Sequence, residues 1–301
     1  MIRIVFLGTS ASVPSVGRNL CSVGLRYEGD VYLFDCGEGT QRQMMKYRLS
    51  YAKTRAVFIS HLHADHYLGV AGLCHTLHMI GRTKEDVLHV YGPRGTRRVI
   101  EGLGCNYEFL KVEEVGEGEV HKAGEPGRGS LGFSVRAFAV EHGRNALGYI
   151  FEENAGRNFD KPKCDALGIK GLMFKELEQK GEVKAAGGKK VKIADVTVPK
   201  KGRKIVYTGD TRLCDGVVKA AEGADLLIHD GTFGEERRQE ADERDHATAG
   251  DAAKAAKKAK VKELVVTHIS NRYEKTDALL KEARQVFANT KIAQDGMELD
   301  L

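Results

Sequence analysis

The chain has 301 residues, 42% of them hydrophobic and 30% charged, with a net charge of +5. This composition excludes a disordered chain and allows one large domain or two small ones with a sizeable core. No run approaches the roughly 20 apolar residues of a membrane-spanning helix, and the apolar start MIRIVFLGTSASVPS is too short for a secretory signal, so the cytoplasm is the expected compartment. The cysteines Cys21, Cys36, Cys74, Cys105, Cys164 and Cys214 form no CxxC pair and read as small buried hydrophobes, not as a disulfide framework or a thiolate zinc site.

In chain order, short β-branched runs predict strands at 2–7, 31–34, 56–60, 87–90, 133–140, 204–207, 225–228 and 263–267. Helical patterns lie at 40–47, 66–79, 95–102, 216–221, 249–260 and 276–288. Strands alternating with helices indicate an α/β or layered α+β architecture. Residues 153–201 depart from this pattern. They read as an inserted arm with one short helix and a hairpin. From 153 to 204 the chain carries 14 Lys and Arg against 7 acids, and the remainder is near neutral. A basic segment on a near-neutral body suits a polyanionic partner.

The strongest chemical signal is Ser60-His61-Leu62-His63-Ala64-Asp65-His66. It follows a predicted strand and precedes a predicted helix, a position where α/β proteins place sites. His61 and His63 are two apart in extended chain and point the same way, while Asp65 and His66 turn toward a second position. Imidazole and carboxylate suit zinc, and also manganese or another divalent first-row metal. Further ligand types follow other predicted strands: His142, Asp210 and His268. Strand ends on one edge of a sheet converge. On this reading His61, His63 and His142 hold one ion, Asp65, His66 and His268 a second, and Asp210 bridges them. Two such ions are a recurring device for phosphoryl and acyl hydrolysis. His75 and His78 sit at helical spacing and are not expected to be ligands, and His89 and His121 belong to no constellation.

HxHxDH, a later His, a GDT step and a final His after a strand resemble the metallo-β-lactamase superfamily. That resemblance implies a four-layer αββα sandwich of the α+β class, a single domain over 1–301 with a dimetal site on one edge. Within it the chain is similar to the short form of the ribonuclease Z family, the tRNA 3′-processing endonucleases. The motifs are Phe34-Asp35-Cys36-Gly37-Glu38-Gly39-Thr40-Gln41, Tyr207-Thr208-Gly209-Asp210-Thr211-Arg212 and Thr267-His268-Ile269-Ser270-Asn271-Arg272-Tyr273, with the opening Phe6-Leu7-Gly8-Thr9-Ser10. The basic insertion lies where that family carries a flexible tRNA-binding arm.

The resemblance implies two zinc ions per subunit, a homodimer, and precursor tRNA, not DNA, as the partner. The 3′ trailer would be cut after the discriminator base, leaving a 3′-hydroxyl, through attack of a hydroxide held between the ions. Asp65 would orient that hydroxide or take up its proton. His246 would protonate the leaving 3′ oxygen with Asp230 as its carboxylate partner, and Asp35 would accept a hydrogen bond from a ligand histidine. Lys170 and Lys175 of the arm would contact phosphates. Arg272 and Tyr273 would flank the scissile phosphate, stack on a base, or simply pack. Departures from the family pattern are Val16 where Lys is frequent, Asp230-Gly231 in place of Glu-Ala, Ala247 in place of Ser, and an atypical arm around Gly168–Leu172. Two other readings use the same residues: a dimetal hydrolase of a small phosphodiester, lactone or thioester, and a non-catalytic RNA-binding module.

Overall fold

The computed structural model describes residues 2–123, 132–185 and 188–301. By internal packing the chain divides into two units, one of residues 1–120, 136–150 and 204–301 and one of residues 121–135 and 151–203.

The expected strands form, and among the described residues they join two seven-stranded sheets. In spatial order the first runs Glu298–Asp300, Ile2–Gly8, Ser22–Tyr27, Asp30–Phe34, Thr54–Phe58, Leu88–Gly92 and Leu110–Glu114. The second runs Thr290–Ile292, Glu263–Thr267, Leu226–Asp230, Lys204–Tyr207, Leu147–Glu153, Phe133–Ala139 and Gly118–Ala123. Asp30–Phe34, Thr54–Phe58, Leu88–Gly92 and Leu110–Glu114 are parallel neighbours. So are Lys204–Tyr207, Leu226–Asp230, Glu263–Thr267 and Thr290–Ile292. Sheets of this kind carry loops on one edge, at the carboxyl ends of their strands.

The sheets meet through an aromatic layer. Phe34 and Phe58 of the first stack at 5.4 Å and face Tyr207 at 5.6 Å and Tyr149 at 5.4 Å in the second. Buried tyrosines need partners for their hydroxyls. Tyr149 donates to the Ile59 carbonyl at 2.7 Å and Tyr207 to Asp35 Oδ2 at 2.6 Å. Helices cover the outer faces. Gly69–Met79 buries Val70, Leu73, Cys74 and Leu77 with Val31, Leu33 and Val57. On the other side Ala249–Ala259 buries Ala252, Ala253, Ala255, Ala256 and Ala259 with Leu227, Leu264 and Val266, its small side chains letting helix and sheet approach closely. These layers give the α+β sandwich, αββα, of a β-lactamase fold. No helix among the described residues is long and apolar enough to cross a membrane.

The helix expected over 66–79 is broken in two, Ala64–Tyr67 and Gly69–Met79. The break has a cause. Cys36 N–H donates to the His66 carbonyl at 2.8 Å, and Gly69 N–H donates to the Cys36 carbonyl at 2.9 Å. A Cβ on Gly69 would lie 2.0 Å from the Gly37 carbonyl oxygen, so this close approach requires glycine. The exchange fastens the loop carrying Asp35 to the loop carrying His66.

The second unit holds the expected insertion, 153–201, together with residues 121–135. It contains more than one helix and one hairpin. Helices Lys161–Ala166 and Leu172–Lys180, the hairpin Glu182–Lys184 with Lys190–Lys192, and the pair Gly156–Phe159 with Thr197–Lys200 surround buried Cys164, Ile169, Leu177, Val183, Val191 and Val196. These apolar residues come from different elements, so no window of sequence shows them as a periodic run. Asp160 caps the first helix by accepting from Lys163 N–H, with Pro162 in its first turn.

Candidate metal centre

Five strand ends supply the centre: Thr54–Phe58 leads to His61, His63, Asp65 and His66, Phe133–Ala139 to His142, Lys204–Tyr207 to Asp210, Leu226–Asp230 ends on Asp230, and Glu263–Thr267 leads to His268. Ligand-type atoms of His61, His63, His142 and Asp210 lie within 4.8 Å of one another, and so do those of Asp65, His66 and His268. Asp210 joins the two groups. Its Oδ2 is 3.6 Å from His61 Nε2, 3.8 Å from His142 Nε2 and 3.4 Å from His66 Nε2, and its Oδ1 is 3.3 Å from His268 Nε2. His268 Nε2 is also 3.4 Å from Asp65 Oδ2. Except for His63, which is exposed, these side chains are buried.

His61 Nε2, His66 Nε2 and Asp210 Oδ1 are buried with no hydrogen-bond partner. A buried polar atom left unpaired costs about 1–3 kcal/mol, and three gathered at Asp210 are unfavourable unless cations satisfy them. Charge argues the same way. Burial alone would raise the Asp210 and Asp65 carboxyls, yet His268 and His66 hold both well below the ordinary carboxylate range. Burial would lower His66, yet the Asp210 and Asp35 carboxylates hold it well above its ordinary value, so the pocket favours positive charge, which a cation would supply in exchange for the proton of the ring. Burial and neighbouring imidazoles keep His61 and His63 low, and therefore neutral as ligands must be. The residues present fit a pair of divalent ions.

Around this centre sit fixed hydrogen-bond partners. Asp35 is fully buried and accepts from Ser60 N–H at 2.7 Å, Ser60 Oγ at 2.8 Å and His66 Nδ1 at 2.7 Å. His142 Nδ1 donates to the Asp245 carbonyl at 3.0 Å, and Arg212 pairs with the Asp245 carboxylate. Asp65 Oδ2 accepts from Ser12 N–H at 2.8 Å, which ties the first loop to the centre. His246 Nδ1 lies 2.8 Å from Asp230 Oδ2. Burial would lower His246, but the charge and hydrogen bond of Asp230 push it up to about 9. Its ring packs 4.9 Å from His142 and 5.3 Å from His268.

The other expected site residues lie outside these clusters. Lys170 and Lys175 are exposed in the second unit, before and within helix Leu172–Lys180. Arg272 bonds Glu240 at 2.5 Å, and the Tyr273 hydroxyl donates to Glu236 at 2.5 Å while accepting from Gly234 N–H at 2.9 Å. Both side chains therefore brace the Gly234–Glu240 stretch. Sequence reasoning passed over Ser60, Thr232 and Asp245. A hydroxyl directly before HxHxDH and the Asp-x-Thr turn at 230–232 were the only local signals.

Comparison with known proteins agrees with this geometry. The Beta-lactamase superfamily domain matches residues 31–159 and 166–269. The chain is similar to ribonuclease Z of Methanosarcina acetivorans, 46% identical across 100% of this chain and 98% of that one. It is 42% identical to ribonuclease Z of Methanosarcina mazei, with the same coverage. The crystal structure of human tRNase Z, short form, superposes with a TM-score of 0.69 at 28% identity, covering 99% of this chain and 98% of that one. The chain belongs to the ribonuclease Z family of the β-lactamase superfamily.

Proposed function

We propose that the chain is a zinc-dependent endoribonuclease that removes the 3′ trailer of precursor tRNA after the discriminator base and leaves a 3′-hydroxyl. The observation that carries this reading is the pair of ligand clusters joined at Asp210, in a chain that matches ribonucleases Z from end to end. His61, His63 and His142 would hold one ion and Asp65, His66 and His268 the other, with Asp210 between them. When bound, two divalent ions supply Lewis acidity, easing the loss of a proton from water and drawing charge from phosphoryl oxygens.

The chain's own groups do the rest. Asp65 is fixed by Ser12 N–H and held well below the ordinary carboxylate range, so it orients the attacking water and is a poor resting place for a proton. His246 is protonated at neutral pH because Asp230 faces it. It is the group able to deliver a proton to the 3′ oxygen as the P–O3′ bond breaks and the phosphate stays on the trailer. Asp230 thus replaces the family's Glu by direct contact, at 2.8 Å. Lys170 and Lys175 supply phosphate contacts away from the cut, which position RNA and make its binding salt-dependent. Family membership supports the homodimer and the cytoplasm as well.

The test is incubation of the purified chain with one end-labelled precursor tRNA, with and without chelator, followed by mapping of both ends. A single metal-dependent cut after the discriminator, with a 3′-hydroxyl upstream and a 5′-phosphate downstream, is the expected result. Cleavage that survives chelation would refute the proposal, as would hydrolysis of small phosphodiesters with the precursor left intact.

A further inference from the structure

Two hydroxyls determine where the protons sit at the centre. Ser60 Oγ lies 2.8 Å from Asp35 Oδ2 and 3.0 Å from His61 Nδ1. Thr232 Oγ1 lies 2.7 Å from Asp230 Oδ1 and 2.9 Å from His268 Nδ1. A hydroxyl has one proton to give, and an ionised carboxylate only accepts. Each hydroxyl therefore donates to its aspartate and can meet its imidazole only as an acceptor, so Nδ1 must carry the ring proton. Nε2 is then bare, and it is Nε2 of His61 and His268 that faces Asp210.

Each hydroxyl also has a second imidazole in reach, but it is the poorer match. Ser60 Oγ is 3.5 Å from His66 Nδ1, which Asp35 already takes at 2.7 Å. Thr232 Oγ1 is 3.3 Å from His246 Nδ1, which Asp230 already takes at 2.8 Å. The pattern is the same twice over: one buried aspartate sets one histidine directly and a second through a hydroxyl.

We propose that Ser60 and Thr232 are positioning residues that lock His61 and His268 in the Nδ1–H tautomer, each serving one of the two ions. A neutral imidazole otherwise divides between two tautomers, and only one offers Nε2 to a metal. The lock also fixes ring orientation, since a flipped ring would replace the Nδ1–H donor by Cδ2–H, a far weaker partner for the hydroxyl oxygen. This inference rests on the metal-centre reading above. It goes beyond it in assigning Ser60 to the His61 ion and Thr232 to the His268 ion.

The test is zinc binding to the full-length chain, by competition with a chromophoric chelator and by metal content, for Ser60→Ala, Ser60→Thr, Thr232→Val and Thr232→Ser. Losing such a partner typically weakens metal binding roughly 10–100-fold. Thr232→Val should weaken one of the two ions by that factor and leave the other near its wild-type affinity. Ser60→Ala should do the same, and the double variant should weaken both. Thr232→Ser and Ser60→Thr keep a hydroxyl and should bind as the wild type does. A second measurement needs no variant: in the zinc-loaded wild type, imidazole ¹H–¹⁵N spectra should show slowly exchanging Nδ1–H protons on His61 and His268. Wild-type affinity in Thr232→Val and Ser60→Ala overturns the inference, as do rapidly exchanging protons at both rings. A wild-type chain that takes up no zinc overturns the metal-centre reading along with it.

Discussion

Asp230→Asn is the most direct probe of the proposed proton donor. The change keeps the shape of the side chain and removes its charge 2.8 Å from His246 Nδ1. In the wild type, burial would lower His246, but Asp230 carries it from the ordinary 6.5 up to about 9. Without that charge, burial prevails and the imidazole returns to about 6.5 or below. The acid form is the active one, so activity persists below the group's pKa and falls as pH rises through it. At pH 8 the wild-type imidazole is about nine-tenths protonated and that of the variant roughly 3%. The difference is a loss of about 30-fold at pH 8 that shrinks to within a few-fold near pH 5.5. The assay is single-turnover cleavage of one precursor across pH 5.5–9.5, at saturating metal so that the Thr232 contact to Asp230 does not limit the rate. If the variant is slower by one constant factor at every pH, with its descending limb still near 9, Asp230 does not act through the protonation of His246.

Three further outcomes test the architecture. Replacing residues 153–201 by a short Gly-Ser linker should weaken precursor binding and flatten its dependence on salt while hydrolysis of bis-nitrophenyl phosphate continues; precursor processing that survives at physiological salt would end the arm assignment. Gly69→Ala places a Cβ 2.0 Å from the Gly37 carbonyl oxygen, so thermal unfolding should report a loss of about 1–3 kcal/mol, and an unchanged melting temperature would contradict the close approach drawn here. Asp251 caps helix Ala249–Ala259 with Thr248; burial would raise its carboxyl, but Arg238 and Lys254 depress it from 3.8 to about 2. A depressed carboxyl stabilises the fold above its unfolded value and loses that contribution as pH falls through the folded one. Asp251→Asn should therefore cost about 2 kcal/mol at pH 5 and almost nothing near pH 2, read by denaturant unfolding at both pH values.

The clustering of the candidate ligands was legible because four of the seven are written locally, in HxHxDH, and the other three follow β-branched runs whose carboxyl ends share an edge. Other features left weaker traces. Strand Ser22–Tyr27 has Gly24 at its centre, where a Cβ would lie 2.3 Å from Leu49 Cδ2, so packing placed a poor strand former there. Strand Leu147–Glu153 likewise starts on Leu-Gly and escaped notice. The helix after His66 read as continuous since nothing local announces that Cys36, some thirty residues earlier, takes its hydrogen bonds. Ser60 and Thr232 are common residue types in ordinary turns. Only the placement of Asp35 and Asp230 beside them gives their hydroxyls a direction.

Backbone conformation marks the centre independently of any resemblance. Among the described residues, eight that are not glycine have positive φ. Four of them touch the site: Ser12, whose N–H holds Asp65; Asp35, under His66; Asp245, whose carbonyl holds His142; and His268 itself. A left-handed conformation costs a side-chain-bearing residue roughly 1–2 kcal/mol, and glycine would occupy it at lower cost. Glycine cannot supply the carboxylate of Asp35 or the imidazole of His268. At those two positions the side chain is needed more than the backbone is at ease. At Ser12 and Asp245 it is the main-chain N–H and carbonyl that serve the centre, and there the strain sets their direction. The fold tolerates strained turns at these points because the hydrogen bonds they aim converge on the same few side chains, which are the ones a pair of cations would need held still.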